Sequence, residues 1–148
     1  MSQRDQFDRL VAEPGLMGTA VEELLRFESP LQLNNRRLTA PLALGDTTLP
    51  AGSFVTLCIG AANHDPAVGK QPGRLDVARK PNNHLAFGQG AHACSGMNVA
   101  RLESRVAIGR LAGPLPSAGA CRHARTRPQG AVQGLCQSAW QSAFRSAP

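Results

Sequence analysis

Cys94 lies in the run Phe87-Gly88-Gln89-Gly90-Ala91-His92-Ala93-Cys94-Ser95-Gly96, where a thiol stands among glycines with an imidazole two residues before it. The thiolate, not the thiol, is the form that ligates a metal. A free thiol titrates near about 8.5, and a metal pulls that value down. Gly90 and Gly96 suit a loop of this kind, because glycine permits φ > 0 and a close approach of backbone to a bound group. The plainer alternative is a Gly/Ala-rich turn around a cysteine that acts as a small hydrophobe.

A loop carrying a ligand must be held by the elements around it. Upstream, Met17, Val21, Leu24 and Leu25 recur at i, i+4, i+7, i+8 and predict a helix with one apolar face. Glu23 and Arg26 stand three apart on it, where an ordinary surface pair contributes about 0.2–0.5 kcal/mol. The chain then reads as β: Leu31 to Leu33, Arg37 to Thr39, Leu42 to Leu44, Thr47 to Leu49 and Ser53 to Ile59, with Val55, Leu57 and Ile59 on one face. Gly45-Asp46 and Pro50-Ala51-Gly52 mark turns. His64 has no His or Cys at a metal-like spacing and reads as a turn or surface residue. After Cys94, Met97 to Leu111 reads as a second helix, with Val99, Leu102 and Val106 inward and Arg101, Glu103, Arg105 and Arg110 exposed.

Together these segments resemble the cytochromes P-450. Phe87 to Gly96 matches the haem-binding pattern Phe-x-x-Gly-x-His-x-Cys-x-Gly, five positions agreeing in register. Glu23-Leu24-Leu25-Arg26 matches the Glu-x-x-Arg of the family's K helix, Ala61 to Pro66 its following turn, and Pro72-Gly73-Arg74-Leu75-Asp76 the irregular segment before the haem loop, with Leu75 where an aromatic is usual. The resemblance covers about residues 8 to 111 and implies the C-terminal portion of a mainly helical α+β fold: K helix, small β region, Cys-ligand loop and L helix. It implies haem b as cofactor, with Cys94 as axial iron ligand, His92 and Arg36 on the propionates, and Phe87 beside the sulfur limiting water. Glu23, Arg26 and Arg74 would form a structural Arg–Glu–Arg cluster. For Arg36, beside Arg37 in a polar turn, plain solvation is the competing reading. No catalytic side chain is assigned.

The implied activity is monooxygenation, one atom of O2 entering an organic substrate and the other leaving as water. The implied electron donor is a ferredoxin-type protein, docked on a basic surface that includes Arg79, Lys80 and the second helix. An inactive truncated remnant, a non-enzymatic haem-binding protein and a small basic interaction module are the alternatives.

At 148 residues with a net charge of +6, the chain divides unevenly. Residues 1–111 read as the partial domain. Residues 112–148 hold four arginines and no Asp, Glu or Lys, a composition like GC-rich DNA read in a shifted frame. Val132, Leu135, Cys136, Ala139, Trp140, Ala143 and Phe144 nevertheless share helical spacing there. Cys121 with His123 makes at most a weak zinc pair. Cys58, Cys94, Cys121 and Cys136 form no Cys-x-x-Cys, which predicts a reducing cytoplasm. The sequence predicts neither a signal peptide nor an apolar run long enough to span a bilayer. The absence of tyrosine and of any nucleic-acid motif argues against nucleic acid despite a pI near 10.1.

Overall fold

The computed structural model describes residues 3–112. The readings made for Cys121, His123, the Val132–Phe144 helix and the shifted frame lie outside the described residues. Within them the chain is α+β. Helix α1 (Arg4–Ala12) and a 3-10 turn (Pro14–Leu16) lead into α2 (Met17–Phe27). Strands β1 (Leu33–Arg37), β2 (Leu42–Leu44), β3 (Thr47–Leu49) and β4 (Phe54–Cys58) follow. The short α3 (Ile59–Ala62), a long irregular segment, a 3-10 turn (Gly90–His92) and α4 (Met97–Ala112) complete it.

Helix α1 has only a weak apolar signal, and the sequence reading omits it. Arg4–Asp8 and Arg9–Glu13 pairs run along its exposed side, while Leu10 and Gln6 turn inward. Pro14 stops it, because proline restricts the residue before it and brings no N–H. Helix α2 ends likewise ahead of Ser29-Pro30, with Glu28 N–H bonded to the Leu24 carbonyl at 2.9 Å. Leu10, Ala20 and Val77 form the core, with Leu16, Met17 and Ile108 packed against them.

β1 and β4 pair antiparallel, Leu33 opposite Cys58 and Arg37 opposite Phe54. One strand thus replaces the two short runs expected at Leu31–Leu33 and Arg37–Thr39. Asn34 and Asn35 are poor strand formers, but the ladder to β4 and a Thr56 hydroxyl donating to Asn35 Oδ1 at 2.9 Å carry them. β2 and β3 form a hairpin with the predicted bounds, turned at Gly45, whose φ is 56°.

The second helix forms where expected but turns a different face inward. Val99, Leu102 and Val106 are 59%, 63% and 56% exposed. Met97, Ala100, Arg101, Ser104, Ile108, Gly109 and Ala112 are the half-buried positions instead. Two anchors fix this rotation: Ile108 joins the core, and Arg101 forms an ion pair with Glu22 on α2.

This rotation has a measurable consequence. Val21→Ala, at a side chain 1% exposed, lowers stability by about 1–3 kcal/mol in urea unfolding. Leu102→Ser stays within about 0.5 kcal/mol. Equal losses from the two would mean that Leu102 is packed.

Candidate functional site

Glu23 is fully buried, an unusual place for a carboxylate. Arg26 Nε and Nη2 donate to its two oxygens at 2.8 and 2.9 Å, a bidentate clamp from one turn along α2. Arg79 Nε reaches both oxygens at 3.0 Å, and the Asp76 amide and Asn82 Nδ2 each donate at 3.0 Å. The rest of the Arg79 guanidinium binds the carbonyls of Lys70, Gln71 and Arg74 at 2.7, 3.3 and 2.8 Å. A single carboxylate thereby organises residues 70–82, a segment without regular structure. Burial pushes the Glu23 carboxyl up, but hydrogen bonds from Arg26, Arg79 and the Asp76 amide prevail and hold it below the usual carboxylate range.

Asn63 carries this order to the cysteine loop. Arg26 Nη1 donates to the Asn63 carbonyl at 2.7 Å, and Asn63 Nδ2 donates to the Ser29 hydroxyl at 2.6 Å. Asn63 Oδ1 accepts the Leu85 amide at 2.7 Å. Leu85 begins the loop: its carbonyl accepts Gly88 N–H at 2.8 Å, and the Phe87 carbonyl accepts Cys94 N–H at 2.9 Å. Gly88 and Gly90 have φ of 68° and 77°, left-handed values that favour glycine. Helix α4 starts three residues after the thiol, Met97 N–H bonding the Cys94 carbonyl at 3.3 Å, so its positive end favours negative charge there.

The Cys94 thiol is exposed. It lines an open cleft of about 300 Å³ with His92, Asn34 and an apolar wall of Leu31, Ile59, Leu85 and Phe87. Next to this cleft, Glu22 accepts Arg101 Nε and Nη2 at 2.8 and 3.0 Å and pairs with His84 Nε2 at 3.0 Å. The Arg101 guanidinium lies 4.8 Å from the centroid of the Phe87 ring, and the His84 ring lies 6.0 Å from it. Burial pushes the Glu22 carboxyl up, and hydrogen bonds from Arg101 and His84 outweigh it, so the group lies low. Among the described residues no group of three or more His, Cys, Asp and Glu side chains could hold a bare metal ion. No helix among them is long and apolar enough to cross a membrane.

Residues 11–111 match the family model described as Cytochrome P-450. The chain belongs to the cytochrome P-450 family. It is 43% identical over 113 residues to the biotin biosynthesis cytochrome P-450 of Bacillus subtilis, covering 76% of this chain and 29% of that one. It is 44% identical over 112 residues to the vitamin D(3) 25-hydroxylase of Pseudonocardia autotrophica, covering 75% and 28%. Among solved structures, the BioI cytochrome P-450 in complex with hexadec-9Z-enoic acid ligated acyl carrier protein superposes with a TM-score of 0.72 at 43% identity, covering 74% of this chain and 28% of that one. The chain spans less than a third of the length of the curated relatives it matches.

The cytochrome P-450 family implies haem, and the residues present suit it. The cleft offers one thiol, an apolar wall for a flat macrocycle and an imidazole, His92, able to meet a carboxylate. Arg36 does not line that cleft. Its Nη1 donates to Asn34 Oδ1 at 2.7 Å and to the Asn35 carbonyl at 2.9 Å, and it is Asn34 that lines the wall.

Three expectations need correction. The second arginine on Glu23 is Arg79, not Arg74, because the chain turns so that Arg74 contributes its carbonyl to Arg79 instead. Gly96 does not adopt a positive φ: its carbonyl already accepts the Ala100 amide, and an added Cβ would stand 3.9 Å from Cys94 Sγ, an ordinary contact. Gly88 takes the second left-handed position. Finally, Arg79 and Arg101 are bound by Glu23 and Glu22 and are not free members of a basic docking face.

Sequence reasoning also passed over Asn63, His84 and Glu22. The adjacent acids Glu22-Glu23 on a helix with cations downstream were the available signal for Glu22.

Both carboxyls are depressed in the fold, so their stabilisation is complete above the ordinary glutamate value of about 4.3 and disappears as pH falls through their lower folded values. Acid titration followed by circular dichroism should therefore show unfolding below about pH 4 in the wild type. Glu23→Ala takes the carboxylate from the buried Arg26 and the half-buried Arg79 and costs about 3–5 kcal/mol at neutral pH. A Glu23→Ala chain as stable as wild type at pH 7 would mean the cluster is incidental.

Proposed function

We propose that residues 1–111 are the C-terminal, cysteine-bearing portion of a haem-thiolate monooxygenase, followed by a separate basic tail over 112–148. One observation carries the reading: an exposed thiol, its amide held by the Phe87 carbonyl, stands at a cleft with an apolar wall and an imidazole. On this reading Cys94 would hold the iron of haem b through its sulfur. His92 would donate to one propionate. Arg36, whose Nη1 grips Asn34, keeps further guanidinium N–H groups for the other. Phe87, Gly90 and Gly96 shape the loop, and Glu23, Arg26 and Arg79 brace the segment before it.

When bound, haem supplies oxygen activation, and a thiolate ligand favours O–O cleavage. The protein's own residues hold the Cys94 amide on the Phe87 carbonyl at the cleft, and His92 and Arg36 would offset the carboxylates of the cofactor. An organic substrate of apolar character is supported by the relative named for vitamin D(3) 25-hydroxylation and by the hexadec-9Z-enoic acid of the BioI complex. Electrons would come from a ferredoxin-type donor, for which Lys80, Arg105 and Arg110 are the remaining basic side chains. The free thiols of Cys58 and Cys94 support a cytoplasmic setting.

A second reading, haem binding without turnover, is favoured by the exposed Val99, Leu102 and Val106. An apolar face of this kind is normally covered, which supports these residues acting as one part of a larger body. The purified chain loaded with hemin, reduced and exposed to CO, is expected to give a weak, thiolate-shifted Soret band. Cys94→Ala removes that band and Cys58→Ala keeps it. Identical spectra with and without Cys94 would overturn the iron-ligand assignment. With an added electron donor the isolated chain is expected to yield no product, and product formation would overturn the second reading.

A further inference from the structure

We propose that Glu22 is a clasp that closes the Cys94 loop, binding His84 at its start and Arg101 at its end, and that Arg101 is a positioning residue pressing on Phe87. The functional meaning of the clasp rests on Cys94 being the iron ligand, whereas its geometry does not.

The span from 85 to 100, the loop with the first turn of α4, carries the thiol, and its flanking residues 84 and 101 meet on one carboxylate. Holding the two ends together removes much of the conformational freedom of the span between them. Each contact has a defined geometry. The Ala86 amide donates to His84 Nδ1 at 3.2 Å, which leaves Nε2 to carry the proton and donate to Glu22. The His84 side chain is 3% exposed, so its ring has little room to turn. Arg101 grips Glu22 with two N–H groups and sets its guanidinium carbon 4.8 Å from the Phe87 ring centroid, combining a fork that lysine lacks with a cation–π contact.

Phe87 is the residue whose carbonyl receives the Cys94 amide. A route therefore runs from Glu22 through Arg101 and Phe87 to the backbone of the thiol. The Glu23 cluster reaches the loop at another point, through Asn63 to the Leu85 amide. Adjacent carboxylates on α2 thus perform separate tasks: Glu23 orders the segment before the loop, and Glu22 closes the loop. Backbone geometry at a ligand cysteine tunes the metal it binds, so a slack clasp alters the site without touching it.

Amide hydrogen exchange on the full apo chain tests the clasp without cofactor. In Arg101→Ala and Glu22→Ala, the Gly88, Ala93 and Cys94 amides should exchange at least about tenfold faster, while the β1 and β4 amides keep wild-type protection. The double variant should fall short of the sum of the two single ones, since both remove the Glu22–Arg101 pair, although each also removes a contact of its own, to His84 or to Phe87. Arg101→Lys should restore only part of the protection. Unchanged Cys94 exchange in the single variants, or acceleration that merely follows β1 and β4, overturns the proposal. Should Arg101→Ala fail to fold, Arg101→Lys and Glu22→Gln decide by the same amides.

In hemin-loaded samples, Arg101→Ala should lose the thiolate-type CO band several-fold faster than wild type. If the wild type shows no such band, the iron-ligand reading fails, and the exchange experiment still decides the clasp.

Discussion

The whole arrangement depends on a negative charge placed where water cannot reach it. A carboxylate taken out of water carries a desolvation cost of several kcal/mol, which only well-placed donors offset. Glu23 draws those donors from α2 itself, from Arg79 and Asn82, and from the Asp76 amide. Because the donors come from chain segments more than fifty residues apart, meeting this one electrostatic demand folds residues 70–82 onto the helix. The hydrophobic core is small by comparison, centred on Leu10, Ala20 and Val77. Polar satisfaction, more than apolar burial, gives the irregular segment its shape.

Asn63 extends that order without adding charge. Its carbonyl, amide nitrogen and amide oxygen each have a partner, on α2, on Ser29 and on the loop respectively. The cysteine loop is consequently approached from two sides by groups rooted in a single helix. A rigid element supporting an irregular connection is the usual way a protein fixes a ligand that lies on a loop.

Much of the plan was legible in the sequence, for identifiable reasons. The hairpin of β2 and β3 followed from turn residues between short apolar runs, and α2 from its apolar spacing. The pairing of Glu23 with Arg26 followed from their helical separation. The choice between Arg74 and Arg79 was not legible, since it depends on the path of a segment with no periodicity. The rotation of α4 was misread because apolar spacing reports an apolar face, not which neighbour it meets. Here the ion pair to Glu22 and the packing of Ile108 outweighed it. His84 carried no local signal, because its partner lies 62 residues away.

Adjacent residues on a helix point about 100° apart, since 3.6 residues make a turn. Glu22 and Glu23 use that angle to face two different neighbours from one stretch of backbone. An insertion or deletion of a single residue between Glu23 and Arg26 would turn Arg26 about 100° off the carboxylate it clamps, and with it the link to Asn63. The hairpin from Leu42 to Leu49 has no such coupling and sits on exposed turns. A change of length is accordingly costly in that turn of α2 and cheap at the exposed Gly45-Asp46.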